Sequence, residues 1–444
     1  MSDPAGRDET ISSAEHHEVL VVGGGPGGLG AAAVLEGWRP RLRDGVPFSF
    51  RVPGVEDMAR AHVDDLLKVD MRAVAETGLR PIDFFRSLHH PSGAASSPGD
   101  LPLEFSKGQG ADWLMLTTDP PGGLWNNVPR DQLTLSPGHW MEMAPYPLAQ
   151  FANETGLPLD PDALIHKNPL VEYYHALPDR LGLSSRIRRG ERVTRICPAQ
   201  DTGQGRFVVE SVSSPDGIKH VRTSNCLVFG IGPRSLLRQL DVPGIDLPYV
   251  NTHYDHPDSF PGDRVLIVGG GRSADWAATE LHDAGKHVAY AMRQQRDVHL
   301  RLINDSQNLP YYARIAEIMT SDSGRLGLLY GSHARQFLPG GQVEIDTPEG
   351  LVTLEVDHVV VEIGGDPDYG LLSGFPPLTL VPMRDRYRFQ LMQMSVDPAT
   401  FESVDIPGLY PAGYLAEGTG LSVIGFHAGA YLMGGDILRR LGRV

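Results

Sequence analysis

The amino-acid sequence predicts an α/β fold that contains two dinucleotide-binding (Rossmann-like) domains, the second inserted into the first. Two stretches carry this prediction, because in each an apolar run leads through glycines into a predicted helix: HEVLVVGGGPGG at 17–28 and RVLIVGGGRSA at 264–274. Short apolar runs that end in glycine are typical of buried parallel strands. Further strand-like runs follow each unit, so each unit can build a sheet of its own.

Composition indicates an ordinary globular protein and narrows the choice of partners. The chain has 444 residues, of which 41% are hydrophobic and 21% charged, enough for two or three domains. Lys plus Arg number 39 and Asp plus Glu 55, so the formal charge is 39 − 55 = −16. This sign argues against nucleic acid or an anionic membrane as the main partner. No apolar run approaches the roughly 20 residues that span a bilayer, and no signal peptide is recognisable at the N-terminus.

The two cysteines, Cys197 and Cys226, form no CxxC pair and no metal-type cluster. We therefore expect no metal site and a cytoplasmic, reducing environment. The same spacing weakens any thiol–disulfide reductase interpretation.

The first glycine motif places Gly23, Gly25 and Gly28 in the G-x-G-x-x-G pattern, with Pro26 inside it. The first glycine makes the tight turn, the second lets the backbone approach a pyrophosphate, and the third lets helix and strand pack closely. The phosphates then lie at the helix N-terminus, where free N–H groups favour anions. The acid expected about 20 residues further on, for the ribose, is not obvious. Asp44 is the candidate, and a tight turn without ligand is the alternative interpretation.

The predicted cofactor contacts of the second motif are Gly269, Gly271, Arg272, Ser273 and Ala274. Alanine replaces the third glycine, a substitution that is common at NADP sites. The next strand is followed by Arg293 and Arg296, at the place where an acid would bind the ribose 2′-hydroxyl of NADH. Arginine pairs instead with a 2′-phosphate, which favours NADPH. The alternative is that both arginines are ordinary surface charges.

Smaller signals lie between and after the two units. PGGLW at 121–125 suits a flat aromatic cofactor, because Gly123 allows a close approach and Trp125 packs beside the ring. GLYPAGY and GTGLS suit the pyrimidine end of a flavin, and the helix after them favours negative charge on the reduced ring. LVFGIGP and VEIGGDP are the predicted crossings between the two domains. The predicted contacts in the C-terminal segment are Gly413, Tyr414, Gly420 and Leu421.

In this order the motifs resemble class B flavoprotein monooxygenases, which include flavin-containing, N-hydroxylating and Baeyer–Villiger enzymes. PGGLWNNVPRDQLTLSPGHWMEM, RVLIVGGGRSADWA and VVVEIGGDPDYGLL resemble more closely the oxidative stress-induced growth inhibitor family. The resemblance covers most of the chain and implies FAD on the first unit and NADPH on the second. The chain departs from the flavin-containing monooxygenase pattern at Val250, the fingerprint His position, and at Tyr414, where an Asp is usual.

The implied domain order is a flexible tail at 1–16, then the first part of an FAD-binding domain at 17–245, which includes an irregular region at 39–110. An NADPH-binding domain follows at 246–345, and 346–444 returns to the FAD domain.

The resemblance implies that NADPH reduces FAD and that O2 then gives a C4a-(hydro)peroxyflavin, which transfers one oxygen atom to a small organic substrate. N-hydroxylation of an amine or amino acid is the leading expectation. Baeyer–Villiger or aromatic oxygenation, an NADPH oxidase or quinone reductase, and a non-catalytic flavin-bound regulatory protein are the alternatives. We expect a small-molecule substrate and O2 as partners and leave homo-oligomerisation open. The candidate catalytic residues, amides or imidazoles able to contact the peroxide or the nicotinamide, are Asn126, Asn127, His139 and Asn304. For His139 a structural hydrogen bond is the favoured alternative.

Overall fold

The computed structural model describes residues 14–89, 101–199, 205–306, 310–321, 323–383, 391–420 and 422–444. Most of the predicted tail, at 1–13, lies outside these ranges, and the first strand already begins at Glu15. Leu421 also lies outside the described residues. The backbone of Asn304 is helical, but its side chain lies outside the described part of the chain.

The described α-helices are α1 (Pro26–Leu35), α2 (Val55–Arg60), α3 (Met71–Glu76), α4 (Pro81–His89), α5 (Leu148–Thr155), α6 (Lys167–Leu181), α7 (Arg272–Asp283), α8 (Arg296–Ser306), α9 (Pro310–Thr320) and α10 (Val423–Arg440).

The described strands are β1 (Glu15–Val22), β2 (Trp38–Leu42), β3 (Leu103–Lys107), β4 (Trp113–Thr117), β5 (Leu133–Pro137), β6 (Leu164–His166), β7 (Ile187–Arg189), β8 (Glu191–Pro198), β9 (Phe207–Ser213), β10 (Lys219–Phe229), β11 (Leu236–Leu237), β12 (Val250–Asn251), β13 (Arg264–Gly269), β14 (His287–Met292), β15 (Leu326–Tyr330), β16 (His333–Leu338), β17 (Gln342–Thr347), β18 (Gly350–Glu355), β19 (His358–Glu362), β20 (Gly365–Asp366), β21 (Leu380–Pro382), β22 (Met392–Met394) and β23 (Leu409–Pro411).

The first sheet has the strand order β7-β4-β1-β10-β9-β8, with β23 also paired to β10. Strand β1 is parallel to both of its neighbours, β4 and β10. Its side chains alternate between two cores: Val19 and Val21 join the core beneath α1 and α10, and Leu20 and Val22 join the core on the other face. A strand that is buried on both faces must be apolar throughout, which is why this run lacks a polar–apolar alternation.

Helices α1 and α10 pack against each other inside the first domain. Every residue of α1 except Pro26 is buried, and so is every residue of α10 from Val423 to Leu438. A helix surrounded by protein is apolar or small all round. The Ala- and Gly-rich sequences of both helices fit this environment, because small side chains allow a close approach.

The region at 39–110, irregular in sequence, is an insertion between α1 and the second strand of the first parallel unit. Strand β2 pairs antiparallel with β3 in a separate two-stranded sheet, and β4 takes the place beside β1. Helix α4, from the same insertion, packs on α10. The chain therefore travels from Trp38 to Lys107 before the unit resumes.

The second sheet has the order β12-β19-β13-β14-β15, and all its pairings are parallel. Helices α7, α8 and α9 contribute to the core on one face, and β16–β17–β18, an antiparallel sheet, contributes to the core on the other. Strand β19 lies between β12 and β13, so the second unit extends to Glu362 in the structure, beyond the predicted end at 345. The reason is that a parallel sheet recruits strands from distant parts of the chain, which local sequence does not reveal.

The chain leaves the first sheet after β10 and returns to it at β23, which confirms the α/β fold with one nucleotide-binding unit inserted into another. The two crossings run side by side, since β11 pairs antiparallel with β20. Arg238 and Asp366 join them with an ion pair of 2.7 Å. Among the helices of the described ranges, none is both long and apolar enough to cross a membrane.

Two neighbouring glycines of α10 provide a test of the close α1–α10 contact. A Cβ on Gly434 would lie 2.4 Å from Val34 Cγ1, whereas a Cβ on Gly435 would lie 3.6 Å from Leu67 Cβ, an ordinary contact. We expect Gly434→Ala to lower the free energy of unfolding by about 1–3 kcal/mol through overpacking. Gly435→Ala is the matched control and should gain up to about 1 kcal/mol of helix propensity. Denaturant unfolding measures both, and equal effects of the two substitutions would contradict the packing argument.

Candidate functional site

The glycines of the first motif allow backbone to pack on backbone. Gly23 has φ of +103°, and a Cβ there would lie 2.2 Å from the carbonyl oxygen of Gly230. A Cβ on Gly28 would lie 2.0 Å from the carbonyl oxygen of Gly23. Gly25 is the N-cap of α1, and the cap has neither a side-chain hydrogen bond nor an acidic residue in the first turn. The N–H groups of this turn are therefore available to an anion.

The PGGLW turn lies directly against this loop. Gly122 donates its N–H to the carbonyl oxygen of Gly24 at 2.8 Å. A Cβ on Gly123, whose φ is +56°, would lie 2.8 Å from the Cα of Gly25. Trp125 is partly buried and packs on the core of the first domain. The structure thus brings the first motif and the PGGLW turn together.

The C-terminal segment reaches the same place. A Cβ on Gly27 would lie 2.7 Å from the backbone nitrogen of Gly413. Tyr414 follows in a 3-10 turn at Gly413–Leu415 and packs edge-on against Phe426 of α10, with ring centroids 4.7 Å apart. Gly420 lies further along, near the guanidinium of Arg86 on α4. Three segments that are remote in sequence therefore form one cradle of bare backbone at the N-terminus of α1.

The predicted ribose acid of the first unit, Asp44, is exposed and follows β2, a strand that does not lie beside β1. The neighbouring strand is β4, and the acid that follows it is Asp119, partly buried at the carboxyl edge of the sheet. The 3-10 turn that contains Trp125 begins at Gly123, soon after the end of β4. The closeness in sequence of β4, Asp119 and the PGGLW turn is the signal that could have identified Asp119.

The two candidate asparagines serve their own turn. Asn126 Nδ2 donates to the carbonyl oxygens of Pro120 and Gly123, at 2.9 and 3.0 Å, and Asn126 Oδ1 lies 2.8 Å from His175 Nε2. Asn127 Nδ2 donates to Asp119 Oδ2 at 3.1 Å. Both amides therefore hold the PGGLW turn on the end of β4.

His139 is 5% exposed. Its Nδ1 lies 3.0 Å from the carbonyl oxygen of Pro161 and 3.5 Å from Asp162 Oδ1. These contacts favour the structural interpretation of His139.

The second motif builds a similar turn in a different way. A Cβ on Gly269 would lie 2.4 Å from the carbonyl oxygen of Glu362 and 2.9 Å from the Cβ of Ala274. The bare Cα at Gly269 is thus what makes room for alanine at the third position. Gly271 is the N-cap of α7, and a Cβ there would meet open space. Arg272 and Ser273 form the first turn of the helix, which starts next to that open space.

Arg293 and Arg296 are exposed and follow β14, the strand beside β13. Among the described residues, no ion pair involves either arginine. Their position at the carboxyl edge, one strand away from the glycine turn, is where the second-strand residue of a dinucleotide fold meets the ribose. The sequence interpretation missed Arg234, whose Nη1 donates to Ser273 Oγ at 3.3 Å and whose Nη2 lies 3.7 Å from Glu362 Oε2.

The two cysteines lie on different strands and are free. Burial raises the pKa of Cys197 and raises the pKa of Cys226 to about 11. A redox-active thiol needs a lowered pKa and a nearby partner. Neither cysteine fits that requirement.

A family model described as pyridine nucleotide-disulphide oxidoreductase matches residues 104–413. Oxidative stress-induced growth inhibitor 1 of Mus musculus is 25% identical over 455 aligned positions, which cover 91% of this chain and 92% of the mouse protein. This likeness confirms the resemblance to the growth inhibitor family.

Two solved structures share the fold. The bacillithiol disulfide reductase of Staphylococcus aureus has a TM-score of 0.61 at 16% identity, over 96% of this chain and 99% of that one. The ornithine hydroxylase of Pseudomonas aeruginosa has a TM-score of 0.57 at 15% identity, over 96% and 100%. The family match covers more than half of the sequence, and the chain belongs to the pyridine nucleotide-disulphide oxidoreductase family.

Proposed function

We propose that the protein is an FAD- and NADPH-dependent monooxygenase that transfers one oxygen atom of O2 to a small organic substrate, in the first place to the nitrogen of an amine or amino acid. The observation that carries this proposal is the pair of uncapped helix N-termini, α1 and α7, each beneath its own glycine turn. One chain thus offers two dinucleotide sites, and only in the second does the strand beside the glycine turn lead directly into exposed arginines, Arg293 and Arg296. The fold of an ornithine hydroxylase supports the choice of nitrogen.

The residues of the first cradle fit FAD. A Cβ on Gly123 would lie 2.8 Å from Gly25 Cα, and a Cβ on Gly27 would lie 2.7 Å from the backbone nitrogen of Gly413. The three segments therefore meet as bare backbone beside the first turn of α1, which a pyrophosphate can approach. Asp119, which follows the strand beside β1, would be the acid that binds the ribose. The N-terminus of α10 would favour negative charge on the reduced flavin ring. When bound, FAD would supply hydride acceptance and the reaction with O2.

The residues of the second turn fit NADPH. The N-terminus of α7 at Gly271 is open to a pyrophosphate. Arg293 and Arg296 would pair with the 2′-phosphate, which carries more negative charge than the 2′-hydroxyl of NADH. In a chain with a formal charge of −16, two exposed arginines without a carboxylate partner among the described residues are suited to an anionic ligand.

The cysteines argue against disulfide reduction, because both thiols are free and both have a raised pKa. A simple NADPH oxidase or quinone reductase is the second candidate. It is favoured by the engagement of both Asn126 and Asn127 within their own turn, which leaves neither amide committed to a bound oxygen species. Carbonyl or aromatic oxygenation would need the same two cofactor sites.

The ratio of NADPH consumed to peroxide released distinguishes these functions. With a panel of amines and amino acids, we expect a substrate to accelerate NADPH oxidation with one O2 consumed per NADPH and little peroxide. An oxidase would release one peroxide per NADPH whatever is added. Oxygen-electrode traces with and without catalase measure the difference, and peroxide release unaffected by every substrate would exclude the monooxygenase.

The nicotinamide cofactor preference tests the arginines. We expect Arg293→Ser and Arg296→Ser each to raise the KM for NADPH roughly ten- to hundredfold, because a charged hydrogen bond contributes about 1.5–3 kcal/mol. The KM for NADH should change little. Arg264→Ser is the control, since it removes the same charge at the start of β13, the end of the strand away from the glycine turn. Equal losses with both cofactors would refute the 2′-phosphate assignment.

Flavin retention tests the cradle. We expect Gly123→Ala to weaken FAD binding roughly tenfold or more, since its Cβ would overlap Gly25 and overpacking costs about 1–3 kcal/mol. Gly156→Ala is the matched control, because Gly156 also has a positive φ, +72°, but a Cβ there meets open space. The FAD content of the purified variants measures the effect. Full flavin occupancy in Gly123→Ala would contradict the assignment.

A further inference from the structure

We infer that a buried hydrogen bond between Asp275 and His299 positions the arginine segment, residues 293–296, and so sets the preference for a 2′-phosphate over a plain ribose. Both are positioning residues, since neither is assigned a contact with cofactor. The inference rests on the proposed function of Arg293 and Arg296.

The pair is enclosed in the core of the second domain. Asp275 is 1% exposed and His299 is fully buried, and His299 Nε2 lies 3.1 Å from Asp275 Oδ1. Tyr290 donates its hydroxyl to the same oxygen at 2.7 Å. On its other side, His299 Nδ1 lies 3.2 Å from the hydroxyl of Tyr330. The two groups are thus oriented from both ends by tyrosines of β14 and β15.

The pair joins the two helices that begin at the candidate cofactor site. Asp275 lies in the first turn of α7, and its backbone N–H donates to the carbonyl oxygen of Gly271 at 2.9 Å. His299 lies in the first turn of α8, three residues after Arg296, and its backbone N–H donates to the carbonyl oxygen of Gln295 at 3.1 Å. The Asp275–His299 hydrogen bond therefore ties the turn that follows the glycines to the turn that carries the arginines.

A second tie holds the arginine segment from the opposite side. The N–H of Gly331 donates to the carbonyl oxygen of Gln294, and the N–H of Ser332 donates to the carbonyl oxygen of Met292, both at 2.9 Å. Gly331 follows Tyr330, the residue that contacts His299. The segment is thus held between α7 and the end of β15, by the Asp275–His299 hydrogen bond and by these backbone hydrogen bonds.

Stability alone does not account for two polar side chains buried at this place. Burying polar groups costs desolvation that apolar residues of similar volume avoid, so such a pair is weak support for stability. The Asp275–His299 pair instead fixes the position of α8, because its hydrogen bonds allow only one register of α8 on α7. A phosphate bound through two guanidinium groups is sensitive to such a register, since charged hydrogen bonds weaken when their geometry is lost.

The test compares NADPH with NADH in His299→Gln, Asp275→Asn and the double variant. We expect kcat/KM for NADPH to fall on the order of tenfold, through KM rather than kcat, with a smaller change for NADH. The double variant keeps two amide side chains that can hydrogen-bond to each other and should recover part of the preference. Arg314→Gln is the matched control: it breaks an exposed ion pair from α7 to α9, with Asp283, and should leave both cofactors unchanged.

Melting temperature and FAD content are measured on every variant. If a variant at Asp275 or His299 does not fold, Tyr330→Phe tests the inference instead. It removes only the tyrosine hydroxyl that contacts His299 and should also lower the preference for NADPH. Folded variants that retain the parent ratio of NADPH to NADH efficiency would overturn the inference. If Arg293→Ser and Arg296→Ser also leave that ratio unchanged, the 2′-phosphate assignment itself fails. A loss confined to the Asp275 and His299 variants would refute the arginine assignment and with it the inference.

Discussion

The close approach of bare backbone at the start of α1 is the constraint on which the first site depends. Gly28 packs on Gly23, Gly27 packs on Gly413, and in each case a Cβ would overlap backbone atoms. Such contacts place the helix N-terminus at the carboxyl edge of the sheet and leave its N–H groups open toward the space outside. The PGGLW turn and the C-terminal segment both dock on the same glycine loop, the first at Gly24 and Gly25 and the second at Gly27.

The second unit reaches the same arrangement with fewer glycines. Ala274 is accommodated because Gly269 has no side chain to meet it. Charge then distinguishes the two units: Asp119 follows the strand beside β1, and Arg293 and Arg296 follow the strand beside β13. An acid can bind a ribose hydroxyl, and arginines can bind a 2′-phosphate. The same fold can therefore distinguish two dinucleotide cofactors by the type of residue that follows the neighbouring strand.

The insertion at 39–110 shows where sequence reasoning failed. Counting about 20 residues from the first motif led to Asp44, but the insertion displaces the second strand of the unit to 113–117. Parallel strands are joined through long connections, and nothing local marks which later strand pairs with β1. The same limit applies to the end of the second domain, because β19 pairs between β12 and β13 although it follows an antiparallel sheet.

The sequence by itself determined what depends on neighbours in the chain: the two strand–glycine–helix units, their order, the arginines after the second unit and the lack of a cysteine pair. These are legible because turn geometry, helix starts and strand burial are set within a few residues. The tertiary structure alone decided which acid stands beside the first strand, that Asn126 and Asn127 brace their own turn, and that Asp275 meets His299. Each of these is a contact between elements, and such contacts exist only once the sheet order has brought the elements together.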